Sequence, residues 1–133
     1  MTRSEAREQA FILVFEKIFS PELSVEDMKN VAEETELFIL DAFAEKLLIS
    51  VCENIEKTDE LISANLRKWS IGRIPKVSLA LLRMAVTEII YFDDVPDGVS
   101  ANEAVELAKK YGSEEDASFI NGVLGSVIRG KEN

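Results

Sequence analysis

Residues 70–92 read SIGRIPKVSLALLRMAVTEIIYF, and this stretch decides the fold. Gly72 can end one helix, and Pro75 suits the first turn of the next, because a first-turn residue needs no backbone N–H partner. After Pro75, apolar residues recur at the three- and four-residue spacing of a helix face. The stretch therefore predicts a helix over residues 75–92 and, just before it, a boundary between two helical halves. The apolar positions are Val77, Ala80, Leu81, Met84, Ala85, Ile89 and Phe92.

Helical patterns occupy the rest of the chain as well. Ser24 and Asp27 have the spacing of a capping box, as do Ser100 and Glu103, and Ser113 is placed to cap a last helix. A broad apolar stripe after Thr35 is typical of a mostly buried helix. No stretch alternates apolar and polar residues as a strand does. We therefore expect an all-α fold with about seven helices, over residues 5–19, from 24 onward, 35–55, from 58 or 59 to 69, 75–92, 100–111 and 113–129.

These helices are predicted to form one globular unit made of two small subdomains, residues 1–70 and 71–133. The chain has 133 residues, a length that fits one compact domain. Such a chain buries about two-thirds of its unfolded surface, so it needs no covalent staple.

The composition argues against most catalytic chemistry. The chain has no histidine and a single cysteine, Cys52. It therefore lacks the Ser–His–Asp triad, the Cys–His dyad, histidine-ligated metal sites and an intramolecular disulfide. Cys52 lies in an apolar helical pattern, which favours a place in the core. We expect no catalytic residue, no cofactor and no metal.

The sequence also predicts a cytoplasmic protein. No apolar run reaches the roughly 18 residues that a membrane span requires. The first residues, Met1 to Glu5, are too polar for the apolar core of a signal peptide.

Charge is distributed unevenly along the chain. The formal net charge is −10, which by itself argues against bulk phosphate binding. Residues 61–92, however, contain five basic residues and only one acidic residue, Glu88. This basic stretch is either a solvated face or a patch for an acidic partner, whether nucleic acid or protein. Its cations are Arg67, Lys68, Arg73, Lys76 and Arg83.

Two glycines interrupt the last predicted helix. Gly122 and Gly125 each cost about 1 kcal/mol relative to alanine in a helix interior. Absence of a side chain permits another backbone to approach closely. Tight helix–helix packing is the favoured interpretation, and a ligand site is the alternative.

Three blocks of the C-terminal half form a specific pattern. They are LRMA at residues 82–85, NEAVELAKKYG at residues 102–112 and FINGVL at residues 119–124. With the Ala6-Arg7-Glu8 triplet near the start, they resemble the NusB family of bacterial transcription antitermination factors over nearly the whole chain. The resemblance implies an all-α fold of two helical subdomains and no catalysis.

The same resemblance implies function and partners. Members of the family bind a boxA RNA element together with NusE, a ribosomal protein, and help RNA polymerase to read through terminators, notably in ribosomal RNA operons. Their RNA contacts come from an N-terminal arm, the first helix and the start of the last helix. Carried over to this chain, the RNA-binding positions are Arg3, Arg7, Phe15, Glu115, Ser118 and Phe119.

These residue types suit RNA, since single strands are bound by aromatic stacking and basic contacts. Either phenylalanine can instead be ordinary core, and Arg7 can instead pair with Glu8 or Glu5. Glu5 and Glu115 place negative charge on the implied surface. We therefore expect weak RNA binding by the chain alone, with NusE adding affinity.

The NusE surface is implied to lie on the helix after Pro75, with Lys76, Ser78, Leu79 and Leu82 as contacts. The main alternative function is a protein–protein adaptor or a homodimer without specific RNA binding of its own. The helical domain of an RNA methyltransferase is a weaker alternative, because no Gly-rich loop or catalytic cysteine motif is present. A carboxylate enzyme that uses Glu33, Glu34 and Glu36 is also weaker, because acids at a predicted helix N-terminus simply favour the helix dipole.

Overall fold

The computed structural model describes residues 1–132, and within them it contains seven α-helices and no strand. The predicted all-α fold is therefore confirmed. A single 3₁₀ turn, Ile71–Arg73, lies between the fourth and fifth helices. The helices are α1 (Arg3–Phe19), α2 (Val25–Glu34), α3 (Ala42–Glu53), α4 (Ile55–Ala64), α5 (Lys76–Tyr91), α6 (Asp97–Tyr111) and α7 (Glu114–Glu132).

Helix α5 forms the centre of the molecule. It contacts α1, α3, α4, α6 and α7. Leu81, Leu82 and Val86 are fully buried, and most of the helix is enclosed by its neighbours. A continuous hydrophobic core includes residues from Ala6 to Val127 and thus from both predicted halves.

A buried ion pair joins the two halves of the chain. The Arg7 guanidinium donates to Glu88 from Nη2 at 2.8 Å and from Nε at 2.9 Å. Ser100 donates its hydroxyl to the same carboxylate at 3.1 Å, and Glu103 lies 3.6 Å from Arg7 Nη1. Helices α1, α5 and α6 therefore meet at one buried polar network.

Local capping explains the starts of α2 and α7. The Ser24 hydroxyl accepts from the Asp27 N–H at 3.0 Å, and the Ser113 hydroxyl accepts from the Asp116 N–H at 3.1 Å. Both predicted caps are confirmed. Each satisfies a backbone donor that the first helical turn leaves free.

The predicted start of the third helix at Thr35 is wrong. Helix α3 begins at Ala42, because the Asp41 carboxylate accepts from the N–H groups of Phe43 and Ala44 and so caps the helix there. The preceding segment turns at Glu36, whose φ is 57°. Leu37, expected in the apolar stripe, is 57% exposed.

Two further helices have limits that differ from the predictions. Helix α6 begins at Asp97, directly after Pro96, so Ser100 is a buried residue within the helix rather than its cap. Helix α4 begins at Ile55, before the expected start at Thr58 or Asp59, and it ends at Ala64, before Trp69. The segment from residue 65 to residue 70 is therefore a connection, and it forms one wall of the site described next.

Candidate nucleic-acid interface

Trp69 lies on the surface, in the connection between α4 and the 3₁₀ turn. It is the only tryptophan of the chain, and it is 55% exposed. Arg67 and Lys68, the two residues before it, are exposed as well. An indole with this exposure beside two cations is unusual for a purely structural residue, because tryptophan is highly buried on average.

The connection and helix α7 enclose a groove, which we call the Trp69 groove. Its larger part has a volume of about 400 Å³. Ser126 of α7 donates its hydroxyl to Asn65 Oδ1 at 2.6 Å and so ties the two walls together. The larger part is lined by Asn65, Arg67, Lys68, Trp69, Ser118, Phe119, Gly122, Val123, Ser126 and Arg129.

Gly122 lines this part of the groove and leaves space there, because it has no side chain. A Cβ atom added at Gly122 would meet no atom within 4 Å, and the residue is exposed. The favoured interpretation of Gly122, tight helix–helix packing, is therefore wrong. At Gly125 an added Cβ would lie 3.2 Å from Arg129 Nη1, which is the flexible end of an exposed side chain.

The smaller part of the groove shares two aromatic side chains with the larger part. Its volume is about 330 Å³, and it is lined by Trp69, Arg73, Ile74, Pro75, Glu115, Asp116 and Phe119. Trp69 and Phe119 thus line both parts. Carboxylates and one arginine are present here, whereas only cations and neutral side chains line the larger part.

The groove contains cations that form no ion pair within the described part of the chain. Within residues 1–132, Arg67, Lys68, Arg73 and Arg129 take part in none of the ion pairs. By contrast, the Arg83 guanidinium is held by Asp59 at 2.8 Å. The predicted basic stretch therefore contributes three free cations to the groove, and α7 adds a fourth. Such a concentration of like charge attracts an anionic ligand.

Three of the six implied RNA-binding residues meet at this groove. Ser118 and Phe119 line the larger part, and Glu115 and Phe119 line the smaller part. Ser118 and Glu115 are exposed, and Phe119 is half-buried. The start of the last helix thus faces the basic stretch, which lies about 50 residues earlier in the sequence.

The other three residues lie elsewhere. Arg7 is 3% exposed and held by Glu88, so a direct phosphate contact would require this buried pair to be broken. The alternative that Arg7 pairs with Glu8 or Glu5 is wrong, because its partner is the distant Glu88. The Arg3 guanidinium is exposed and lies 4.3 Å from the centroid of the Phe43 ring.

Phe15 belongs to a row of aromatic rings along α1. It is half-buried, and its ring centroid lies 5.9 Å from that of Phe11 and 5.1 Å from that of Phe19. Tyr111 extends the row, with its ring centroid 4.9 Å from that of Phe11. No residue of this row lines the Trp69 groove.

Glu8 fixes the end of this row. Its carboxylate pairs with Lys110 and accepts the Tyr111 hydroxyl at 2.6 Å. The bonds from Lys110 and Tyr111 lower the pKa of Glu8, and the bond to Glu8 raises the pKa of Tyr111 to about 12. The first helix is thereby attached to the end of α6.

The implied NusE contacts on α5 need correction. Ser78 and Leu82 are fully buried and Leu79 is 6% exposed, because α5 is enclosed by five other helices. None of the three is available to a partner in this conformation. Lys76, at the first position of α5, is exposed and remains a predicted contact.

Sequence reasoning missed Trp69 and Arg129 as members of the site, and it gave a ligand site at Gly122 only as the alternative to helix packing. The signal for Trp69 was present, since a lone tryptophan follows two cations just before a glycine and a proline. The signal for Arg129 was absent, because its position opposite Trp69 depends on how α7 packs against the end of α4.

The fold and the groove define a small all-α binding protein with a basic, aromatic surface. Three comparisons with known proteins give its family. The model of the NusB family matches residues 4–129. A "Transcription antitermination protein NusB" from Oceanobacillus iheyensis is 41% identical over 128 residues, which are 96% of this chain and 99% of the relative.

A protein of the same description from Clostridium acetobutylicum is 41% identical over 133 residues, or 99% of this chain and 98% of the relative. Among solved structures, a chain from "Crystal Structure of Antitermination Factors NusB and NusE in complex with dsRNA" superposes with a TM-score of 0.83 at 32% identity, and the match covers 98% of this chain and 99% of that chain. The chain belongs to the NusB family, a family of transcription antitermination proteins.

One finding concerns membranes. No helix within residues 1–132 combines the length and the apolar character needed to cross a bilayer.

Proposed function

We propose that the chain binds boxA RNA together with NusE, and that this complex promotes read-through by RNA polymerase, notably in ribosomal RNA operons. The Trp69 groove is the RNA surface in this proposal. The chain acts in the cytoplasm, within the antitermination complex of RNA polymerase, and contributes binding rather than catalysis.

One observation supports this proposal above the others. Two residues implied by the family resemblance, Ser118 and Phe119, share a groove with four cations that have no acidic partner within residues 1–132. Rings for bases and cations for phosphates are the two components that single-stranded nucleic acid needs from a protein.

The charge balance supports joint binding with NusE. The whole chain has a net charge of −10, so the long-range field repels RNA even though the groove attracts it. A basic ribosomal protein bound to an acidic part of the surface reduces this repulsion. RNA affinity is therefore expected to rise when NusE is present.

The experiment compares two labelled RNAs of equal length, one with boxA and one with the same bases scrambled. Fluorescence anisotropy at fixed salt measures their affinity for the chain with and without NusE. We expect boxA to bind more tightly than the scrambled RNA, and NusE to increase that difference. Equal affinity for both RNAs, with NusE still bound, would instead favour an adaptor without specific RNA binding.

A further inference from the structure

We infer that Trp69 is a stacking platform for an unpaired RNA base, so that the Trp69 groove binds a single-stranded stretch of its RNA. This inference rests on the proposed function and deepens it. It assigns a role to a residue outside the set that the family resemblance implied.

The first support is the exposure of the ring. Trp69 is 55% exposed although it is the largest side chain of the protein. The connection between α4 and the 3₁₀ turn holds it at the surface, away from the continuous core. A ligand with a flat apolar face would cover this indole, and every nucleobase has such a face.

The second support is the position of the ring within the groove. Trp69 and Phe119 are the two residues that line both parts, so a base that enters from either side meets an aromatic ring. The two volumes, about 400 and 330 Å³, fall within the roughly 300–1,000 Å³ of small-molecule pockets. Either part can therefore admit a base that has left its helix.

The third support is the charge around the ring. Arg67 and Lys68 precede Trp69 directly, and Arg129 lines the opposite wall. None of the three is paired with an acid within the described chain. They are placed to bind the phosphates on either side of a stacked base. A basic protein such as NusE would be repelled here, which favours RNA as the occupant.

Stacking on Trp69 requires an unpaired base. In an A-form duplex the faces of the bases are covered by their neighbours, and proteins contact mainly phosphates and 2′-hydroxyls. The groove is therefore expected to distinguish a single strand from the same strand in a duplex.

The test uses the fluorescence of Trp69, the only tryptophan of the chain. The complex with NusE is titrated with a single-stranded boxA oligoribonucleotide and with the same oligoribonucleotide annealed to its complement. The signal of a complex that contains Trp69→Phe is subtracted, which leaves the Trp69 emission alone. We expect the single strand to quench this emission and the duplex to quench it far less.

Affinities by anisotropy complete the test. Trp69→Ala is expected to weaken single-strand binding about tenfold, and Trp69→Phe to retain most of the affinity. Tyr91→Ala removes another exposed aromatic ring, one outside the groove, and should leave the affinity unchanged. Circular dichroism verifies that each variant is folded.

The outcomes separate this inference from the proposed function. If boxA RNA binds specifically but Trp69→Ala binds it as tightly as the unsubstituted chain, the inference fails and the function stands. If NusE alone quenches Trp69 and RNA adds nothing, Trp69 is a protein contact and the inference fails. If no RNA binds to the complex, both fail.

Discussion

Arg7 has a structural role that its position near the chain start does not suggest. Its guanidinium forms two short hydrogen bonds to Glu88, and both side chains are almost fully buried. A buried pair of this kind adds little net stability over a well-packed apolar pair, yet loss of one partner leaves an uncompensated charge. The partner of Arg7 lies 81 residues away, beyond the reach of local sequence patterns.

We predict that Arg7→Ala lowers the free energy of unfolding by about 3–5 kcal/mol, because Glu88 then remains buried and unpaired. Urea denaturation measures this difference. Arg3→Ala is the control, since the exposed Arg3 contributes at most a cation–π contact of about 1 kcal/mol with Phe43. Equal losses in both variants would contradict the structural role of Arg7. A folded Arg7→Ala protein with a reduced salt dependence of RNA binding would restore the role as a phosphate contact.

At the scale of elements, helix α7 combines stability with an open surface. Its buried positions Ile120, Val123, Leu124 and Val127 pack into the core, while Ser118 and Gly122 face the groove. The glycine therefore serves the groove rather than a helix contact. Glycine at this position still lowers the stability of the helix relative to alanine, and a Cβ atom could be accommodated, because no atom lies within 4 Å of its position.

We predict that Gly122→Ala raises the free energy of unfolding by about 0.5–1 kcal/mol, the usual gain from alanine in a helix interior. Gly125→Ala is the matched control in the same helix, with a smaller expected gain because its Cβ displaces the end of Arg129. Urea denaturation of both variants measures the two gains in the free energy of unfolding. A destabilised Gly122→Ala protein would show that another segment packs against this position.

Helix limits that depend on contacts between nearby residues were predicted more accurately than features that depend on distant segments. The starts of α2 and α7 depend on caps formed within three residues, and both were predicted. The starts of α3 and α6 were misplaced, because Asp41 and Pro96 outweigh the apolar stripe and the Ser100 spacing that were used instead. The groove itself joins segments about 50 residues apart, so only its separate components were visible in the sequence.

At the scale of the whole molecule, the charge distribution sets the binding behaviour. An acidic chain presents one groove with four cations that form no ion pair within residues 1–132, so its attraction for RNA is local and its overall field is repulsive. Each phosphate bound in the groove releases counterions from the RNA. A change in the salt dependence of binding on substituting a groove cation therefore reports whether that cation contacts a phosphate.

The most direct test of the Trp69 groove as the RNA surface is the salt dependence of boxA affinity in the complex with NusE. Lys68→Glu and Lys57→Glu change the net charge equally, and only Lys68 lines the groove. We predict that Lys68→Glu weakens binding and reduces the slope of log affinity against log salt by about 0.7, the value for one phosphate of a single strand, while Lys57→Glu preserves the slope. Identical slopes and affinities for the two variants would contradict the account.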